Sequence, residues 1–210
     1  MEVEAGGPGV KAGGLLFVVR TDTLWYVPVS MTQAFTLVKP PERPPMRVTA
    51  MAREIAEQPE AVRRTLAAHL SRAGEIAAVA GRRRVLFISR GSSDNAASYG
   101  RYLLEAYADR SAALAAPSIF TAYRSRLDLS DTLVVSVSQS GATEEIVQVQ
   151  EWVRECGAAT LAVTNDARSP LATGADLALV TEAGPELAVP ATKSYLTQVA
   201  AMAVIGYAVS

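Results

Sequence analysis

Residues 85–95 read Val85-Leu-Phe-Ile-Ser-Arg-Gly-Ser-Ser-Asp-Asn95. Val85 to Ser89 is a short apolar run of the kind buried on both faces of a parallel sheet, and Arg90-Gly-Ser-Ser-Asp-Asn95 follows with a turn residue and two hydroxyls that open a helix. The same grammar returns downstream. A helix over Asp94–Ala108 is followed by a strand over Ala112–Ala116 and a short helix near Ser118–Ser125, then by a strand over Leu133–Ser138. A helix over Thr143–Glu155 stops at Gly157, and Thr160–Thr164 reads as the next strand. After a turn of helix from Ser169, Leu177–Thr181 reads as the last strand and a helix starts near Thr192. Strands separated by helices require crossover connections, so the fold class is α/β: a doubly wound parallel five-stranded sheet flanked by helices.

Upstream the pattern changes. Met51–Gln58 reads as a helix that stops before Pro59, and a second helix runs from Pro59 to about Ala80. Residues 46–80 are therefore lead-in helices, and 81–210 form the α/β domain. Residues 1–45 read as an irregular appendage, with glycine clusters at Gly6-Gly7 and Gly13-Gly14 and the proline-dense run Lys39–Pro45. Between these, Leu15–Val38 has the composition of a hairpin.

Composition excludes several functions. The chain has 210 residues, 50% of them hydrophobic, which suits one sizeable core. A net charge of -1 gives no reason to expect nucleic acid. The single cysteine, Cys156, excludes an internal disulfide and a multi-cysteine zinc site, and fits a cytoplasmic location. The apolar runs Leu15–Val19 and Val199–Val209 are too short to span a membrane. His69, in a polar stretch of the lead-in helix, reads as a surface residue.

Ligands of open α/β sheets sit outside the carboxyl ends of the strands. The first loop there, Arg90–Asn95, and the third, Ser138-Gln-Ser-Gly-Ala-Thr143, both combine glycine with hydroxyls at a helix start, the arrangement that holds a small anion. Serine, threonine and glycine are also ordinary capping residues, and it is the occurrence of two such loops on one edge that favours a ligand. Glu144 and Glu145 read as complements to a helix dipole, without chemistry. The last loop, Glu182–Lys193, is long enough to close over a site, with Thr192 as the cap of the final helix. Lys193 opposes the dipole of that helix, which points to a nearby anion.

These residues resemble the sugar isomerase (SIS) domain family, in particular the isomerase portion of glucosamine-6-phosphate synthase and its glutaminase-free relatives. The resemblance spans about Met51–Val209 and rests on Met51–Pro59, Gly91-Ser-Ser93, Ser138–Thr143, Ser169-Pro-Leu-Ala172 with Ala175-Asp176, and Ala183-Gly-Pro-Glu186 leading to Ala191-Thr-Lys-Ser194. It implies a flavodoxin-like three-layer sandwich that binds a hexose 6-phosphate or amino-hexose 6-phosphate. The ligand-binding residues it implies, together with the two loops, are Gly91, Ser92, Ser93, Ser138, Gln139, Ser140 and Thr143, with Val189 and Ala191 facing the sugar and Lys193 beside it.

The chain departs from the synthase pattern in two places: Ala142 replaces a glutamate common there, and Pro190-Ala191 stands where the synthase usually has Ala-Ser. Residues 1–45 are too short for a glutaminase domain. The resemblance implies an isomerase or deaminase lineage and a homodimer, without cofactor or metal. Its catalytic acids and bases belong to a second SIS unit and a tail, so no catalytic residue is assigned here and the chain reads as truncated before that unit. The alternative function is an effector-binding sensor module of a transcription regulator, which would need a helix-turn-helix that residues 1–45 do not supply.

Overall fold

The computed structural model describes residues 15–20, 23–28 and 49–210, in two units, 1–46 and 47–210. In the first unit, β1 (Leu15–Arg20) and β2 (Thr23–Pro28) form an antiparallel pair with Leu15 opposite Pro28 and Arg20 opposite Thr23. The glycine clusters and Lys39–Pro45 lie outside the described residues.

The second unit begins with α1 (Ala50–Ala56), α2 (Gln58–His69) and α3 (Ala73–Ala80). Five strands follow: β3 (Arg84–Ser89), β4 (Ala112–Leu114), β5 (Thr132–Val137), β6 (Ala159–Thr164) and β7 (Leu177–Val180). All pair in parallel, in the order β4-β3-β5-β6-β7. The crossovers are α4 (Ser92–Tyr107), α5 (Pro117–Thr121), α6 (Glu144–Glu155) and α7 (Pro170–Thr173), and α8 (Lys193–Val209) closes the unit.

Alternation along the strands divides the core into two layers. Val85, Phe87, Leu133, Val135, Leu161 and Leu179 point to the face covered by α3, α4 and α8, where Ile76, Leu104 and Met202 complete the packing. Ile88, Val134 and Ala162 point to the opposite face, against Phe120, Ile146, Val149 and Leu171 of α5, α6 and α7. These side chains are sequestered almost completely, and truncating one such leucine to alanine costs about 2–5 kcal/mol.

Two sequence expectations need correction. The second lead-in helix is not continuous to Ala80: it breaks at a 3-10 turn over Leu70–Arg72. Its first half is tied to the chain just past β7, with the Thr65 hydroxyl donating to the Thr181 carbonyl, and the turn itself is tied to β7 by the Arg72 guanidinium on the Ala178 carbonyl (3.1 Å). The second half must turn to place Ile76 and Ala80 in the core, and one straight helix cannot do both. His69 is likewise not a surface residue. It is 3% exposed, with Nε2 bonded to the Val180 carbonyl at 2.6 Å and Nδ1 buried without a partner.

Burial pulls the His69 pKa below the ordinary value, against the Val180 bond; Arg72 lowers it further and Glu182 opposes this. The unfolded chain therefore takes up the proton first as pH falls, so this stabilisation is complete above about pH 6.5 and is lost progressively below it. Urea midpoints measured at about pH 7.5 and 5.5 are expected to fall with acid, and His69→Gln is expected to flatten that fall. An equal fall in the variant would rule out His69 as its source.

Candidate functional site

At the carboxyl ends of β3 and β5 the chain leaves toward opposite faces of the sheet, and the two loops diverge around a cleft of about 250 Å3. On the first loop Gly91 has a φ of 66°, which a side chain would resist, and it starts α4 with no side-chain cap. Asp94, in the first turn of α4, accepts the Ser89 hydroxyl at 2.5 Å and is thereby turned onto the loop's own frame.

The second loop is braced more heavily. Ser138 Oγ accepts the Gly141 N–H (3.2 Å) and lies 3.3 Å from Thr143 Oγ1, while Ser140 Oγ accepts the Ala142 N–H (3.2 Å). Gly141, at φ 61°, sits so close to the end of β6 that an added Cβ would lie 2.6 Å from Thr164 Oγ1. The Asn165 and Leu171 N–H groups donate to the Gln139 and Gly141 carbonyls, 3.0 and 3.1 Å. Thr143 precedes α6 without capping it, so both helices that start at the cleft do so with no side chain on their first amides.

A larger hollow, about 440 Å3, opens at the amino end of the same strands between Arg84, Ser111 and Leu127. Size alone does not make it the site. Arg84 there is paired with Asp131 (3.0 Å), whereas the smaller cleft gathers hydroxyls, an amide and two helix starts.

The loop from β7 to α8 is held by carboxylates. Glu186 Oε1 accepts the N–H groups of Thr192 (2.9 Å), Lys193 (2.7 Å) and Ser194 (3.3 Å), and its Oε2 accepts the Ser194 hydroxyl. Glu186, not Thr192, therefore caps α8, because the Thr192 hydroxyl itself points to that carboxylate. Burial pushes the Glu186 pKa up, but the Ser194 hydroxyl and the three amides outweigh it and hold the carboxyl below its ordinary range. Glu54 of α1 accepts the Leu187 N–H (2.5 Å) and the Ala188 N–H (3.2 Å). Lys193 is fully buried, its ammonium on the Glu57 carboxylate (2.5 Å) and the Pro185 carbonyl (2.8 Å).

Comparison with known proteins agrees with this architecture. The sequence profile of the SIS domain matches residues 79–206. The chain belongs to the SIS domain family. It is 39% identical over 167 residues to the glutamine–fructose-6-phosphate aminotransferase (isomerizing) of Symbiobacterium thermophilum, an alignment covering 74% of this chain and 27% of that protein. The C-terminal domain of glucosamine-fructose-6-phosphate aminotransferase from Francisella tularensis superposes with a TM-score of 0.70 at 27% identity, covering 77% of this chain and 47% of that one. A candidate phosphosugar isomerase from Silicibacter pomeroyi DSS-3 gives 0.69 at 38% identity, covering 76% and 50%. The chain thus spans about a quarter of the length of the curated relatives it matches.

In this SIS domain Gly91, Ser92, Ser93, Ser138, Gln139, Ser140, Thr143 and Ala191 all line the one cleft. Two residues named from sequence do not: Val189 is fully exposed at the tip of its loop, and Lys193 is turned onto Glu57. Sequence reasoning missed Glu54, Glu57 and Asn165. Asn165 joins the walls, its backbone on Gln139 and its side chain accepting the Ala183 N–H (2.8 Å) and donating to the Gly184 carbonyl (2.9 Å). The available signal was the acidic pair Glu54 and Glu57 on a helix preceding a long loop with a lone lysine. Glu54→Ala leaves two amides without their acceptor and is expected to cost about 1–3 kcal/mol in urea unfolding, with Glu54→Gln recovering most of the loss. Equal stability of Glu54→Ala and the parent would show that the loop does not depend on this carboxylate.

Proposed function

We propose that this SIS domain binds a hexose 6-phosphate or amino-hexose 6-phosphate, with the phosphate between the β3–α4 and β5–α6 loops and the sugar toward Ala191. The single observation that carries the reading is that the hydroxyl-bearing residues Ser93, Ser138, Ser140 and Thr143 together line one cleft bounded by two helix starts that no side chain caps. A phosphate needs donors from several directions, and hydroxyls together with helix amides supply them without net positive charge. The relatives named for fructose 6-phosphate chemistry support the same class of ligand.

The reading includes binding without turnover by this chain's own residues. Moving a proton between adjacent sugar carbons needs a base within reach. Among the described residues that line the cleft there is no carboxylate, histidine or cysteine. The nearby carboxylates Asp94, Glu54 and Glu186 are engaged, on Ser89, on Leu187 and Ala188, and on the start of α8, while Glu145 stands in the first turn of α6, where this reading seats the phosphate rather than the sugar carbons. The low basicity of Glu186 fits a structural group rather than a proton acceptor.

Calorimetry with fructose 6-phosphate tests the assignment. Ser140→Ala combined with Thr143→Ala removes two hydrogen bonds to a charged group and is expected to weaken binding at least about tenfold. Unchanged affinity in the double variant would remove the phosphate from these loops. Incubation of the purified chain with fructose 6-phosphate in deuterated water is expected to leave the second carbon unlabelled. Label that enters there and disappears in Glu186→Gln would make this domain a proton-transfer catalyst.

A further inference from the structure

Arg90 is the only charged side chain among the described residues that line the cleft. It stands on the β3–α4 loop, immediately before the Gly91 turn, and its guanidinium Nη1 forms an ion pair with the carboxylate of Glu145 in the first turn of α6. The pair therefore joins the two loops that form opposite walls of the cleft. Its environment differs from that of Lys193. The Lys193 side chain is 2% exposed and its ammonium is fixed between Glu57 and Pro185, but the Arg90 side chain is 69% exposed and that of Glu145 is 29% exposed.

We propose that Arg90 is a ligand-binding residue for the phosphate and that Glu145 holds it in reserve, so that Arg90 exchanges the carboxylate for the ligand's phosphate on binding. This rests on the reading of the cleft as a phosphosugar site and adds to it the group that recognises the charge. Three physical facts lead there. An exposed ion pair is held weakly, so it yields readily to a better partner. A phosphate presents a planar guanidinium with two parallel acceptors and more negative charge than a carboxylate. A dianion seated at the start of α6 lies beside Glu145, and the repulsion between them is relieved when Arg90 turns to the ligand.

The arrangement gives Glu145 a role opposite in sign to that of a brace. As the resting partner of Arg90 it competes with the ligand, and its removal tightens binding. If the pair served only to staple the two loops, removing either residue would loosen the cleft and weaken binding alike.

Calorimetric titration with fructose 6-phosphate at one fixed ionic strength, on the parent chain, Arg90→Gln, Glu145→Gln and the double variant, distinguishes the two. Arg90→Gln is expected to weaken binding about tenfold or more, and Glu145→Gln to tighten it about threefold or more. With Arg90 already replaced, Glu145→Gln is expected to have a clearly smaller effect, because only the general repulsion is left to relieve. All variants should unfold within about 2 °C of the parent, since Arg90 is exposed and Glu145 is only half-buried. Weaker binding in Glu145→Gln, or an equal effect of that substitution in both backgrounds, would overturn the proposal. A parent chain that binds fructose 6-phosphate and an Arg90→Gln chain that binds it equally well would overturn this inference alone, while a parent that does not bind it would overturn the reading of the cleft as well.

Discussion

The parallel pairing of β3 with β5, from Arg84 beside Thr132 to Ser89 beside Val137, is the constraint on which the site depends. A parallel neighbour cannot be reached by a tight turn, so each strand must leave the sheet through a helix before the chain returns. Here the chain departs from β3 on the side of α4 and α8, goes out to β4, and comes back past β3 to β5, whose helix α6 lies on the other side. Two adjacent strands with helices on opposite faces leave a gap at their carboxyl ends. The cleft is that gap, and the glycines at 91 and 141 are the points where the backbone must turn in a way that a side chain would resist.

The lead-in helices complete this geometry from outside the sheet. α1 and α2 run beside the β7–α8 loop and are bonded to it through Glu54, Arg64 and Thr65, and to the first residue of α8 through Glu57. Removing the ammonium of Lys193 from water is unfavourable unless it is paired. Glu57 and the Pro185 carbonyl meet that requirement, which fixes the start of α8 and with it Ala191 at the edge of the cleft. Residues 47–210 consequently behave as one structural unit, in which the helices before the sheet are as much a part of the site's support as the strands.

The order of strands and helices was legible in the sequence because both faces of the sheet are covered. Each strand reads as a short apolar run, Val85–Ile88 and Leu133–Val137 above all, and each helix is bounded by turn chemistry such as Gly91, Gly157 or Ser169. The hydroxyl-rich loops were legible because Gly-Ser-Ser and Ser-Gln-Ser-Gly are local patterns, read without knowing the rest of the fold. What escaped depended on contacts between distant segments. His69 lies in a polar stretch of sequence, yet the Val180 carbonyl, 111 positions away, gives it a buried partner. The break at Leu70–Arg72 carries no proline and no cap, since it is imposed by the packing on both sides of it. Lys193 pointed to an anion, but the anion is Glu57, 136 positions earlier, and no local pattern contains that pairing.

The most direct test of the account is where a sugar phosphate acts on the chain. In amide correlation spectra of the uniformly 15N-labelled protein, addition of fructose 6-phosphate is predicted to shift Gly91, Ser92 and Ser93 together with Gln139 to Glu144, and to leave Ser111 to Ala113 and Leu127 to Leu129 unmoved. The second group surrounds the larger hollow at the opposite edge of the sheet. Shifts concentrated there, with the two hydroxyl-rich loops silent, would contradict the placement of the ligand at the carboxyl ends of β3 and β5.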